Sequence, residues 1–170
     1  EASLTGHLVL STLHTNGAVE TVVRLLDLGC DSFNFADAMQ GVLAQRLCKR
    51  ICVNCKEPYR PTAQEYDRLV HGYGTKAWEG LGVGDRENLQ LYRGRGCEAC
   101  KQTGLKGRIA LHELLSGSDE LRNLIQSRAK TKEMQSLAAK EGMMTLVQDG
   151  TLKILAGLTT YEQVRAVAMK

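Results

Sequence analysis

The stretch Cys52-Val53-Asn54-Cys55, answered downstream by Gly96-Cys97-Glu98-Ala99-Cys100, decides how the middle of this chain folds. Two residues between thiols let both sulfurs of a knuckle turn toward one ion, and two knuckles complete a tetrahedron. The spacer from Lys56 to Gly96 is long for a zinc ribbon. Loop closure depends only weakly on length, so the extra residues cost about 0.8 kcal/mol. Structural zinc contributes on the order of 10 kcal/mol in small peptides, which outweighs that cost. Protein fills all four positions and leaves none for a catalytic water. The expectation is a structural Zn²⁺ on Cys52, Cys55, Cys97 and Cys100.

Three other uses of these thiols stand beside that one. Disulfides are a possibility, but nothing in the sequence indicates secretion, and cytosolic thiols stay reduced. A redox C-x-x-C pair has no need of a duplicate. Cys48-x-x-x-Cys52-x-x-Cys55 has the spacing of a radical S-adenosylmethionine iron–sulfur motif, but that use leaves Cys97 and Cys100 without a role. Cys48 and Cys30 read most simply as packing residues.

Outward from the cysteines, basic residues gather around both pairs: Arg46, Lys49, Arg50, Lys56 and Arg60 at the first, Arg93, Arg95, Lys101, Lys106 and Arg108 at the second. A zinc-ribbon module that binds nucleic acid is one reading. The other is that a tetrathiolate zinc centre carries a net charge of about −2, which neighbouring cations stabilise. The second is preferred, because only 5% of residues are aromatic and no RNA-stacking motif is present. No nucleic-acid partner is expected.

Before the first pair, His7 to Leu13 reads as a buried parallel strand. A helix follows with Val19, Val22, Val23 and Leu26 on one stripe and Gly29 as its C-cap. Asp31 opens a second helix, whose stripe of Phe35, Met39, Val42, Leu43 and Leu47 leads the chain into Cys52. Between the pairs, Thr62 and Glu65 form a capping box for a short helix with Tyr66 and Leu69, and Gly72 to Gly84 reads as loop. Arg108 to Leu114 alternates as a strand with Ile109 and Leu111 on one face. From Ser118 onward the chain reads as helical. Ser118, Thr131, Thr145 and Thr160 head the helices, the last two with capping boxes to Gln148 and Gln163.

The fold class expected is α/β: an incomplete α/β unit at 1–50, a tetracysteine module with its insertion at 51–107, and a strand followed by a helical bundle at 108–170. With 170 residues, a net charge of +3 and 43% apolar residues, the composition is that of a globular protein. No apolar run approaches the roughly 20 residues that span a bilayer. Glu1 in place of Met, followed almost at once by a strand-like run, reads as an excised fragment.

The histidines are less decisive. His7 and His14 point to opposite faces of a strand and cannot chelate one metal without a bend. His14 lies just past the end of the strand, where open α/β sheets bind ligands. His112-Glu113 has the opening of a zinc-protease helix, but no histidine follows at the required position.

Thr5-Gly6-His7-Leu8-Val9-Leu10-Ser11-Thr12-Leu13-His14-Thr15-Asn16 resembles the histidine box of the type II secretion and type IV pilus assembly ATPases. Gln45-Arg46-Leu47, Gly96 to Cys100, Thr103-Gly104, Gly107-Arg108, Gly142 to Gly150 and Gly157 to Thr160 resemble further segments of that family, in the same order. The resemblance implies the C-terminal part of a RecA-like ATPase. Such an enzyme assembles as a homo-hexamer on the cytoplasmic face of the inner membrane. There it moves a platform protein that works with other secretion or pilus components. It implies ATP and Mg²⁺ as ligands of the complete protein, His14 near the γ-phosphate, His7 in the same box, and Arg108 against the nucleotide. The four cysteines match the zinc motif of extension-type members. The phosphate-binding loop with its lysine, the acidic box and the Walker B acid are missing from these 170 residues, so the chain alone is expected not to hydrolyse ATP.

Overall fold

The computed structural model describes residues 2–169. Eight helices and four strands occur among them. They are α1 (Ala18–Asp27), α2 (Ser32–Ala38), β1 (Gly41–Ile51), β2 (Lys56–Tyr59), α3 (Ala63–Tyr73), α4 (Thr75–Glu79), β3 (Leu91–Gly94), β4 (Leu105–Ser116), α5 (Asp119–Gln126), α6 (Thr131–Lys140), α7 (Leu146–Leu155) and α8 (Tyr161–Ala168). Single 3-10 turns form at Ala2–Thr5 and Glu98–Cys100. β1 pairs with β4 in one two-stranded sheet. β2 pairs antiparallel with β3 in another, with Lys56 opposite Gly94 and Tyr59 opposite Leu91.

Two compact units result, Glu1–Gln45 with His112–Met144, and Arg46–Leu111 with Thr145–Lys170. The first buries Val19, Val22 and Leu26 of α1 with Leu115, Leu121, Ile125 and Met134. Those apolar positions recur every three or four residues along α1, α5 and α6, so each helix turns one stripe into the core. The second buries Leu69, Trp78, Leu91, Leu111, Leu146, Ile154 and Val164. Its Trp78 ring stands edge-on to Tyr66 and Tyr73, at centroid distances of 5.7 and 6.2 Å. Both the Thr62–Glu65 and the Thr145–Gln148 capping boxes form as the sequence predicts, and the Ser118 hydroxyl accepts from the Leu121 N–H.

Four expectations need correction. His7 to Leu13 is not a strand: the backbone there has no ladder, and Leu8 and Leu10 are 80% and 88% exposed. A parallel strand needs neighbours for its N–H and C=O groups, and among the described residues no strand lies beside it. The second helix stops at Ala38, although Asp31 caps it through the Asn34 N–H, and Gly41–Ile51 is the strand β1. Spacings of four satisfy both periods, because residues 39, 43 and 47 share a face of a strand as well as of a helix. β1 in fact buries Ala44 and Cys48 and leaves Leu43 and Leu47 out. The stretch from Gly72 to Gly84 is not all loop, since α3 runs to Tyr73 and α4 brings in Trp78. Thr160 precedes α8 without a side-chain cap bond.

Candidate metal centre

The two cysteine pairs flank the same end of the β2–β3 ribbon, where Lys56 lies opposite Gly94. Cys52 and Cys55 lie between β1 and β2, and Cys97 and Cys100 lie just after β3. Each pair closes its own tight turn: the Cys55 N–H reaches the Cys52 carbonyl at 3.4 Å, and the Cys100 N–H reaches the Cys97 carbonyl at 3.2 Å. Two bonds tie the knuckles together, Cys52 N–H to the Gly104 carbonyl at 2.9 Å and Arg95 N–H to the Cys55 carbonyl at 3.0 Å. The backbones of Gly94 and Gly104 touch so closely that a Cβ on Gly94 would overlap the Gly104 carbonyl. Gly96 has φ of +100°, and a Cβ there would lie 2.8 Å from the Gln102 carbonyl oxygen. Glycine is the residue that permits both features.

The four sulfurs all lie within 4.8 Å of one another. Cys52 and Cys97 Sγ are 3.9 Å apart, Cys55 and Cys100 3.9 Å, and Cys97 and Cys100 3.7 Å. A tetrahedral ion with sulfurs at about 2.3 Å sets neighbouring sulfurs about 3.8 Å apart, so the group fits such an ion. A disulfide requires about 2.05 Å, and all six cysteines are free. Cys52, Cys55 and Cys100 are buried, and Cys97 is partly so.

Electrostatics treats Cys55 and Cys100 in opposite ways. Burial pushes the Cys55 thiol up to about 12, against the N–H of Gly96 at 3.4 Å. Burial also opposes the charge on Cys100, but the N–H groups of Cys97 and Gly104, each 3.2 Å from its sulfur, outweigh it and bring the thiol to about 6. N–H groups aimed at sulfur stabilise thiolate and orient it for a metal.

Cys48 is not part of this group. It is buried in the separate core of Leu69, Trp78 and Leu111, with its sulfur 3.5 Å from the Thr159 hydroxyl. The Cys48–Cys52–Cys55 iron–sulfur triad is therefore not assembled. The basic residues near the pairs have several employments. Arg93 pairs with Glu57 at 2.9 Å and lies over the Tyr59 ring, and Lys56 sits 4.1 Å over the Tyr92 ring.

The other candidate residues lie outside this cluster. His7 is exposed, its Nδ1 3.2 Å from the Ala2 carbonyl oxygen and 3.3 Å from the Thr5 hydroxyl. His14 is exposed at the rim of a cavity of about 270 Å³ that Thr15, Asn16, Glu20, Arg24 and Thr131 also line. Arg108 is exposed on β4. Neither His7 nor Arg108 lines the His14 cavity. Gly94 carries a role that the cysteine spacing does not announce; its position just ahead of the second pair is the available sequence signal.

A mixed α/β chain with four cysteines placed to bind one metal ion is the class of protein that this geometry defines. Residues 1–166 match the family described as Type II/IV secretion system protein, and the chain belongs to that family. It is 43% identical over 166 residues to the type IV pilus assembly ATPase PilB of Thermus thermophilus, covering 98% of this chain and 18% of that protein. It is 42% identical over 167 residues to the type II secretion system protein E of Pseudomonas aeruginosa, and 41% identical to the type II secretion system ATPase E of Vibrio cholerae. Each of these alignments covers 98% of this chain and 31% of the relative. The chain thus spans less than a third of the length of these relatives. No helix among the described residues is long and apolar enough to cross a membrane.

Proposed function

We propose that this chain is the C-terminal part of an ATPase that powers type II protein secretion or type IV pilus assembly. The observation that carries the reading is the family match across residues 1–166, joined to a four-cysteine cluster with tetrathiolate spacing. In the complete protein, a homo-hexamer couples ATP hydrolysis to motion of an inner-membrane platform protein from the cytoplasmic face. Residues 1–50 complete a RecA-like domain, 51–107 form the metal module, and 108–170 form a strand with a helical bundle.

The resident ion is Zn²⁺, and its part is structural: it cross-links two knuckles that are otherwise joined by a few backbone hydrogen bonds. ATP and Mg²⁺ bind to the complete protein. His14, exposed at the rim of its cavity, meets the γ-phosphate region. His7 belongs to the same box, and Arg108 contributes a cation to the nucleotide. Nucleic acid is not a partner.

Elemental analysis with a thiol count tests the metal: one zinc per chain and two titratable thiols, Cys30 and Cys48, are expected. Iron, or fewer than six thiols after metal removal without reductant, would overturn it. Turnover tests the rest. The complete protein hydrolyses ATP, His14→Ala slows it, and the 170-residue chain alone does not exceed a no-protein blank. Turnover by the chain alone would defeat the reading that the phosphate loop lies elsewhere.

A further inference from the structure

Helix α1 begins directly after the His14-Thr15-Asn16 turn, and its N-terminus has an unusual cap. The N-cap residue is Gly17, which has no side chain to offer the free N–H groups of the first turn. The acceptor comes instead from β4, remote in sequence: Glu113 Oε1 accepts from the Ala18 N–H at 2.7 Å. The fit is close. A Cβ on Gly17 would lie 3.1 Å from that same carboxylate oxygen, so a larger residue would press the carboxylate away. Gly17 itself is extended, with φ of −151°, a conformation open to any residue, so what glycine supplies here is room for the carboxylate.

A second tie holds the same turn. The Thr15 and Thr21 hydroxyls are 2.6 Å apart, and Thr21 donates to the Gly17 carbonyl at 2.9 Å. Thr21 and Ala18 are buried while Thr15 and Glu113 are half-buried, so both ties are partly sheltered from water. Between them the turn is clamped at each end, and His14 is held out at the rim of its cavity. A carboxylate at the positive end of a helix adds electrostatic attraction to the hydrogen bond.

We infer that Glu113 is a positioning residue for ATP hydrolysis: by capping α1 from β4 it sets the His14 turn against the nucleotide. This rests on the reading of His14 given above. Glu113 touches no reacting atom. It acts through the turn, and small displacements of an oriented group cost rate rather than substrate binding.

The test is a double-mutant cycle in the complete hexameric ATPase. Glu113→Ala is expected to lower kcat by about tenfold to a hundredfold with little change in KM for ATP. Glu113→Gln keeps an acceptor oxygen and is expected to recover most of the loss. In a His14→Ala background, Glu113→Ala should add almost nothing. Gly17→Ala disturbs the contact from its other side and serves if Glu113→Ala does not yield a folded hexamer. It too should slow turnover in the parent and have no effect in His14→Ala. Full multiplicative penalties in the double variants overturn the proposal alone. An unchanged kcat in His14→Ala overturns the nucleotide reading of that histidine, and the proposal with it. An unchanged kcat in Glu113→Ala and Gly17→Ala, with His14→Ala slow, also overturns the proposal.

Discussion

Cys48, in β1, and Cys52, just past its end, are four residues apart and have opposite fates. Cys52 belongs to the four-sulfur cluster, whereas Cys48 packs against Thr159 in an apolar core. Cys52→Ser should therefore abolish metal binding, and Cys48→Ala should leave one metal per chain at a cost of about 1 kcal/mol in packing. Metal content and chemical denaturation of the two variants check both statements. A Cys48→Ala variant without metal would contradict the separation of the two sites. Gly94 carries a comparable burden without touching the ion. Because its Cβ would overlap the Gly104 carbonyl, Gly94→Ala has to pry the knuckles apart. The expected result is weaker metal retention against a competing chelator, with a destabilisation of about 2 kcal/mol or more. Native-like retention would mean that the knuckles tolerate a wider spacing.

At the scale of elements, the Thr62–Glu65 box illustrates a local signal that needs no tertiary help. The Thr62 hydroxyl accepts from the Glu65 N–H at 3.3 Å, and Glu65 Oε2 accepts from the Thr62 N–H at 2.8 Å. Burial works against the Glu65 charge, but the Thr62 N–H and hydroxyl, the Tyr59 hydroxyl and Arg68 together hold its carboxyl below the usual range. A depressed carboxyl contributes stability that is present above its unfolded value and is lost as pH falls through the lowered one. Thr62→Ala should thus cost about 1 kcal/mol near neutral pH, with the difference shrinking in acid as Glu65 protonates. Urea titrations at several pH values measure this, and a penalty that grows in acid would refute it. Such caps, the cysteine knuckles and the amphipathic stripes of α1, α5 and α6 were legible because their partners lie within a few residues. β1 was not, since period four fits helix and strand alike and pairing with distant β4 decides. The run at His7 was legible as apolar but not as unpaired, because pairing depends on neighbours in space. The Glu113 cap on α1 escaped the sequence for the same reason: no local spacing joins residues so far apart.

At the scale of the whole chain, two compact units with separate cores imply that metal loss need not be felt everywhere. The sulfur cluster lies in the unit formed by Arg46–Leu111 and Thr145–Lys170. There the Cys52 N–H to Gly104 and Arg95 N–H to Cys55 bonds join its knuckles. Without the ion nothing offsets the burial that keeps the Cys55 thiol protonated, and the two backbone bonds are left to join the knuckles. The other unit draws its stability from Val22, Leu121, Ile125 and Met134, none of which packs on the cysteines. Local opening free energies follow such differences in contact and cross-linking. Hydrogen exchange with and without a strong chelator should therefore show protection collapsing at Cys52, Cys55, Arg95 and Gly96. Amides of α5 and α6 should exchange at nearly unchanged rates. Equal loss of protection in α5 and α6 would mean that the ion holds the chain as one cooperative body. Its role would then extend from securing a knuckle to supporting the fold through which the family's ATPase activity would have to act.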